Sequence, residues 1–200
     1  MTPNVILIDV MDTLVYDPYA REQSAFFGMD WEELRALKDP TAWVDFELGR
    51  IDEGEFLRRF FADRRSFDHD GLKRCMLDGY RWLGGMEELL RDLREAGVEV
   101  YALSNYPVWY RLIEGKLRLS RFLRWRFVSC ETGVRKPDAE AYLGAVRGLG
   151  RRPAECLFID DRESNCRAAR AVGLGAIRFE GAVALRGDLE ARQILGAPAP

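Results

Sequence analysis

Apolar residues in this chain fall into two kinds of run. Short blocks of branched and aromatic residues end abruptly in acid, hydroxyl or amide. Val5-Ile6-Leu7-Ile8 stops at Asp9, Val98-Glu99-Val100-Tyr101-Ala102-Leu103 at Ser104-Asn105, and Cys156-Leu157-Phe158-Ile159 at Asp160-Asp161. Continuous apolar blocks of this length read as strands buried on both faces, the habit of a parallel sheet. Elsewhere the spacing is helical. Met86, Leu89, Leu90 and Leu93 mark a helix that stops at Gly97, followed by a strand over 98–104 and a helix over 108–118. A strand near 126–130 leads to Pro137 at a helix first turn, with Tyr142, Val146 and Leu149 facing inward. The strand 156–159 leads to a helix carrying Ala168, Ala169 and Val172 and closed by Gly173. Ala176–Phe179 is a last strand and 183–195 a last helix. Such alternation predicts an α/β fold whose parallel sheet is covered on both faces.

Residues 19–80 break the alternation, showing helical signals and no strand. Trp31, Leu34 and Leu37 share one helical face, as do Trp43, Phe46 and Leu48 less strictly. Asp52-Glu53-Gly54-Glu55 is a capping-box-like start for a helix with Phe56, Leu57, Phe60 and Phe61 on one side. Leu72, Met76 and Tyr80 continue the pattern. The expected organisation is a core of residues 1–16 and 84–196, a helical cap of residues 17–83 inserted after the first strand, and a disordered tail at 197–200. No internal repeat is present.

Composition narrows the function classes. The 200 residues are 48% hydrophobic and 32% charged, ordinary for a globular chain. A net charge of −3, from 30 basic and 33 acidic residues, gives no broad basic field for nucleic acid. The Arg pairs at 58–59, 64–65 and 151–152 read as solvated faces. The absence of a long apolar run and of a signal-peptide pattern argues against a membrane partner and for a cytoplasmic location. Cys75, Cys130, Cys156 and Cys166 lack Cys-x-x-Cys spacing and read as reduced thiols. His69, flanked by Asp68 and Asp70 in what reads as a charged loop, is the sole histidine, and no Gly-x-Ser-x-Gly elbow exists to form a serine hydrolase.

The strand ends hold the candidate chemistry. Open α/β sheets place ligands at their carboxyl edge. Asp9 there could be a nucleophile, a metal ligand, or merely an N-cap. The adjacent Asp160-Asp161 pair repels itself unless a cation is near. Arg135-Lys136-Pro137-Asp138 adds a lysine, and Ser164-Asn165 lies just past the acidic pair.

The order Asp9, Ser104, Lys136-Pro137, Asp160-Asp161 resembles the haloacid dehalogenase (HAD) superfamily, over motifs spanning residues 9 to 165. The resemblance implies a Rossmann-like catalytic core with a small helical cap, and a nucleophile, Asp9, that forms an aspartyl-phosphate. It implies Mg²⁺ held by Asp9, the backbone carbonyl of Met11 and Asp161, with Asp160 as an alternate ligand. Ser104, backbone groups of Asn105 and the Lys136 ammonium would hold the phosphoryl oxygens, offsetting the repulsion between two anions. Phosphatases of this superfamily usually carry a second Asp two residues after the nucleophile as general acid and base; here that residue is Met11. Asp12 could stand in, or could only cap and hydrogen-bond within the turn. Losing the acid costs ~10²–10⁴-fold in rate, which predicts a slow phosphatase rather than none.

Dehalogenases of the superfamily also lack that acid, but they use no metal and carry small polar residues where this chain has Asp160-Asp161. The strings Asp9-Val10-Met11-Asp12-Thr13, Phe26-Phe27-Gly28-Met29, Ser104-Asn105-Tyr106-Pro107-Val108-Trp109-Tyr110 and Phe158-Ile159-Asp160-Asp161-Arg162 closely resemble plant chloroplast flavin mononucleotide (FMN) hydrolases. That likeness makes Met11 a subgroup trait and implies hydrolysis of FMN to riboflavin. Tyr106, Trp109, Tyr110, Trp43 and Phe46 could stack on a flavin or pack in the core. Arg50 could meet a substrate anion or pair with Glu47. The leading expectation is a Mg²⁺-dependent phosphomonoesterase, monomeric or homodimeric. The alternatives are a non-catalytic module that binds a phosphorylated ligand, and a metal-independent 2-haloacid dehalogenase.

Overall fold

The computed structural model describes residues 4–196, so the tail expected at 197–200 lies outside the described residues. Strand β1 (Val5–Ile8) is followed by five helices and no strand: α1 (Arg21–Phe27), α2 (Trp31–Leu37), α3 (Ala42–Glu47), α4 (Glu53–Arg59) and α5 (His69–Gly79). Alternation then begins with α6 (Met86–Glu95), β2 (Glu99–Ser104), α7 (Tyr110–Leu117), β3 (Arg124–Val128), and two helices, α8 (Ser129–Thr132) and α9 (Ala139–Gly148). It ends with β4 (Cys156–Asp160), α10 (Glu163–Ala171), β5 (Gly175–Arg178) and α11 (Ala182–Ala191).

All pairings are parallel, in the order β3-β2-β1-β4-β5. The central strand registers Ile8 against Ala102 and Ile159, so β1, β2 and β4 end at nearly the same level. Side chains of a strand alternate between faces, and two apolar clusters follow from that. Ile6, Ile8, Val100, Ala102, Leu157 and Ile159 face α6, α7 and α11, whereas Val5, Leu7, Tyr101, Leu103 and Phe158 face α9 and α10. The first cluster continues without a break into Leu34, Phe46, Phe56 and Phe60 of the inserted helices. Ring packing at this junction is close, with Phe46 and Phe56 stacked at 4.6 Å and both edge-on to Trp109 at 5.5 and 5.6 Å.

Local details differ from the sequence expectation. β3 ends at Val128 rather than 130, because residues 129–132 form the short helix α8. Pro137 precedes α9 rather than sitting in its first turn: Asp138 is the N-cap and the Lys136–Pro137 peptide is cis. At α4 only half a capping box forms, with Asp52 accepting the Glu55 amide, whereas Asp30–Glu33 on α2 forms a complete one. His69 opens α5, capped by Asp68, instead of lying in a loop. Among the described residues no helix is long and apolar enough to cross a membrane.

Candidate functional site

Asp9 lies one residue past β1, its amide donating to the Ile159 carbonyl at 2.9 Å, so the parallel ladder itself aims it at the sheet edge. Asp160 is the last residue of β4 and fully buried, and Asp161 follows half-buried. One oxygen from each of Asp9, Asp160 and Asp161 falls within a 4.8 Å group. Lys136 enters from the β3–α9 connection and bridges two of them, its Nζ 2.8 Å from Asp9 Oδ1 and 2.7 Å from Asp160 Oδ2. Asn105 holds that lysine from both sides. Its Nδ2 donates to the Lys136 carbonyl and its Oδ1 accepts the Lys136 amide, both at 2.8 Å.

The two adjacent aspartates are not equivalent. Asp160 is saturated: besides Lys136 it accepts the Arg162 amide at 2.8 Å and the Asn165 side-chain amide at 3.0 Å. Among the described residues the Asp161 carboxylate has only the Arg162 guanidinium, 4.0 Å away. Burial pushes the Asp9 carboxyl up to about 7; Lys136 works against that shift, and Asp160 and Asp161 add to it. Asp161 is raised by burial and by Asp160. For Lys136 burial disfavours the ammonium, but Asp9 and Asp160 outweigh it and the pKa rises. Three hard oxygen donors with a surplus of negative charge suit a divalent cation such as Mg²⁺.

Asp9 and Lys136 open into a cavity of about 230 Å³, whose lining does not include Asp160 or Asp161. Asp9, Met11, Asp12, Asn105 and Lys136 form part of its lining. Ser104 does not line it; its buried hydroxyl has no hydrogen-bond partner among the described residues and borders a neighbouring cavity instead. Asp12, with φ +53°, accepts the Asp17 amide at 3.0 Å, hydrogen-bonding within the turn. Arg50 pairs with Asp45 at 3.4 Å, and Glu47 does not meet it. Glu47 instead reaches the cavity, with its Oε1 2.7 Å from Arg135 Nε. Trp43 and Tyr106 line the cavity, whereas Phe46 and Trp109 are core residues.

Sequence reasoning missed Asp17 and Tyr19, which follow the turn at residues 12–14 and line the cavity beside Arg162 and Asn165. The only signal was Asp17-Pro18, a turn dipeptide that says nothing of chemistry. Burial raises Asp17 to about 6. Tyr19 packs on Trp43 at 4.3 Å.

The model of the haloacid dehalogenase-like hydrolase family matches residues 4–173. An Arabidopsis thaliana protein named flavin mononucleotide hydrolase 1, of the chloroplast, is 50% identical over 185 residues, 92% of this chain and 76% of that protein. A sesquiterpene phosphatase of Aspergillus oryzae is 34% identical over 113 residues, 56% of each chain. Among solved structures, a HAD family enzyme of Bacteroides thetaiotaomicron in complex with magnesium superposes with a TM-score of 0.77 at 21% identity, covering 90% of this chain and 95% of that one. At that identity the superposition speaks for the fold alone. With the family match, the half-identical plant relative and the parallel sheet in agreement, the chain belongs to the haloacid dehalogenase-like hydrolase family.

Proposed function

We propose that the protein is a Mg²⁺-dependent phosphomonoesterase acting on FMN or a similar small phosphate ester. The observation that carries this reading is the buried Asp9–Lys136–Asp160 bridge with Asp161 beside it, at the edge where a parallel sheet receives ligands. Asp9 is the nucleophile. Its attack on phosphorus forms an aspartyl-phosphate, which water then cleaves. Lys136, fixed by Asn105, meets the phosphoryl oxygens, whereas the Ser104 hydroxyl at the end of β2 borders a neighbouring cavity. Asp9, Asp161 and the Met11 carbonyl would hold Mg²⁺, and the free oxygens of Asp161 favour it over the saturated Asp160 as a direct ligand. When bound, the ion neutralises charge on the phosphoryl group and keeps Asp9 ionised.

FMN as substrate rests on the plant relative's name. The helical segment 17–83 acts as a lid over the core of 1–16 and 84–196, excluding water and selecting the ester. A cytoplasmic site of action belongs to this proposal; the plant relative is named for the chloroplast. A second reading, a module that binds phosphorylated ligands without turnover, draws on Met11, which lines the cavity and has no ionisable side chain.

The test is phosphate release from FMN and a panel of sugar phosphates, with Mg²⁺ or EDTA, by wild type and Asp9→Asn. Release that needs Mg²⁺ and vanishes in Asp9→Asn is expected. Turnover equal in the two proteins refutes the enzyme reading, and FMN binding without turnover establishes the module. Chloride or fluoride release from a haloacid without metal would revive the dehalogenase alternative.

A further inference from the structure

Breaking an alkyl phosphate leaves an alkoxide unless a proton arrives with the bond cleavage, and Met11 cannot supply one. Besides Asp9, three carboxylates line the cavity: Asp12, Asp17 and Glu47. They differ in what already occupies them. Burial raises the Glu47 carboxyl, the Arg135 guanidinium and the Trp43 indole work against that shift, and Arg135 already occupies its Oε1 at 2.7 Å. Asp12 is exposed, and its Oδ1 is engaged by the Asp17 amide. Asp17 is half-buried, and its Oδ1 accepts the Tyr19 amide at 3.0 Å. Its Oδ2 makes no hydrogen bond, and no cation lies within ion-pair distance of either oxygen, among the described residues. The segment is held from both ends: Asp12 fixes the Asp17 amide, and the Tyr16 amide donates to the Arg81 carbonyl at 2.9 Å.

We propose that Asp17, on the turn between β1 and α1, is the general acid and base that takes the role left open by Met11. The inference rests on the phosphatase reading above. In the first step an Asp9 oxygen bonds to phosphorus, the phosphorus–ester oxygen bond breaks, and its electron pair takes the Asp17 proton, releasing the alcohol. In the second step Asp17, now a carboxylate, accepts a proton from water as the water oxygen bonds to phosphorus. The bond to Asp9 breaks, inorganic phosphate leaves, and Asp17 is protonated again. A carboxyl raised by burial to about 6 holds a proton near neutrality far more readily than an exposed one. The charged and titratable groups around it are Asp12, Arg162 and Asp161, with Tyr19, Tyr80 and Tyr106 on the apolar side. Asp12 is in this scheme a positioning residue.

The experiment compares kcat/KM for FMN and for p-nitrophenyl phosphate, whose phenolate departs without a proton, in wild type, Asp17→Asn, Asp12→Asn, Glu47→Gln and Asp9→Asn. Asp17→Asn is expected to lose ~10²–10⁴-fold on FMN while staying close to wild type on p-nitrophenyl phosphate. It should also lose the alkaline limb of the FMN pH profile. Retained p-nitrophenyl phosphate activity reports that the variant folds; if Asp17→Asn does not fold, Asp17→Ser keeps an acceptor for the Tyr19 amide and carries no acid. Equal loss on both substrates overturns the assignment, and so does a selective loss in Asp12→Asn or Glu47→Gln instead. Failure of Asp9→Asn to abolish both activities would refute the phosphatase reading itself, a separate result.

Discussion

Lys136→Met isolates what the buried lysine does for this sheet edge. The wild-type ammonium is almost wholly buried and is shared between Asp9 and Asp160 at 2.8 and 2.7 Å. Methionine keeps most of the stem's volume but leaves the close Asp9 and Asp160 carboxylates without their cation. Removing one partner of a buried ion pair costs about 3–5 kcal/mol, because the remaining charge stays desolvated. For a chain of this size that corresponds to a drop of roughly 6–20 °C in Tm.

Metal and pH separate this cause from a simple packing defect. Mg²⁺ binding at a hundred times its Kd returns about 2.7 kcal/mol, so the variant's Tm should climb with Mg²⁺ more steeply than that of wild type. Asp9 is already raised to about 7, and loss of the lysine raises it further. A carboxyl whose folded pKa exceeds its unfolded value gives stability at low pH that is lost as pH rises through the folded pKa. The Tm deficit should therefore be larger near about pH 8.5 than near about pH 6. Differential scanning calorimetry of both proteins in EDTA and in Mg²⁺ reads all three effects. A Tm deficit that ignores both pH and Mg²⁺ would refute the electrostatic account.

Lys38 gives a second pH-dependent test. Its ammonium is buried among Tyr19, Phe60 and Trp31, bonded to Gln23 Oε1 at 2.6 Å, and burial lowers it to about 7. An amine with a depressed folded pKa burdens the fold less as pH rises above about 7, so wild-type Tm should gain on Lys38→Met between about pH 7 and 10; a constant difference would mean the ring faces keep it charged. Gly49, where α3 meets α8, has φ +68° and would place a Cβ 2.3 Å from the Cys130 carbonyl oxygen, whereas Gly28, at φ +65°, has open space around it. Gly49→Ala should cost at least about 2 kcal/mol in urea unfolding and clearly more than Gly28→Ala; equal costs would deny the close approach.

The sheet was readable because each of its central strands is a compact apolar block, and a parallel strand needs nothing else to declare itself. Its ends were blurred where local chemistry competes. Residues 129–132 leave the strand as a helical turn because the Ser129 hydroxyl donates to the Glu47 carbonyl across the junction with the inserted helices, a contact 82 positions away in sequence. Aromatic residues were ambiguous for a related reason. Trp43, Phe46 and Trp109 look alike as ring platforms, yet Phe46 and Trp109 are sealed at the junction while Trp43 faces the cavity. A buried aromatic removes about 150–250 Å² from water. At about 25 cal/mol per Å², exposing Phe46, Phe56 and Trp109 together costs on the order of 10 kcal/mol. The inserted helices are thus tied to the sheet by the core itself, and periodicity within one helix carries no record of that.

The candidate site divides along the same line. Asp9, Lys136 and Asp160-Asp161 were legible because a parallel sheet brings its strand ends to one edge, so residues 9 and 160 become neighbours through the register of β1 on β4. Sequence order plus topology is enough to place them. Asp17, Tyr19 and Glu47 obey no such rule, since each is set by an irregular turn or by the packing of the inserted helices. Asp17 depends on the Asp12 side chain holding its amide and on the Tyr19 amide holding its carboxylate. Asp12 itself adopts φ +53°, a conformation its residue type tolerates but does not announce. An acid placed two residues after a nucleophile can be found by spacing alone. One that reaches the same cavity from the next turn becomes visible only when the chain has folded.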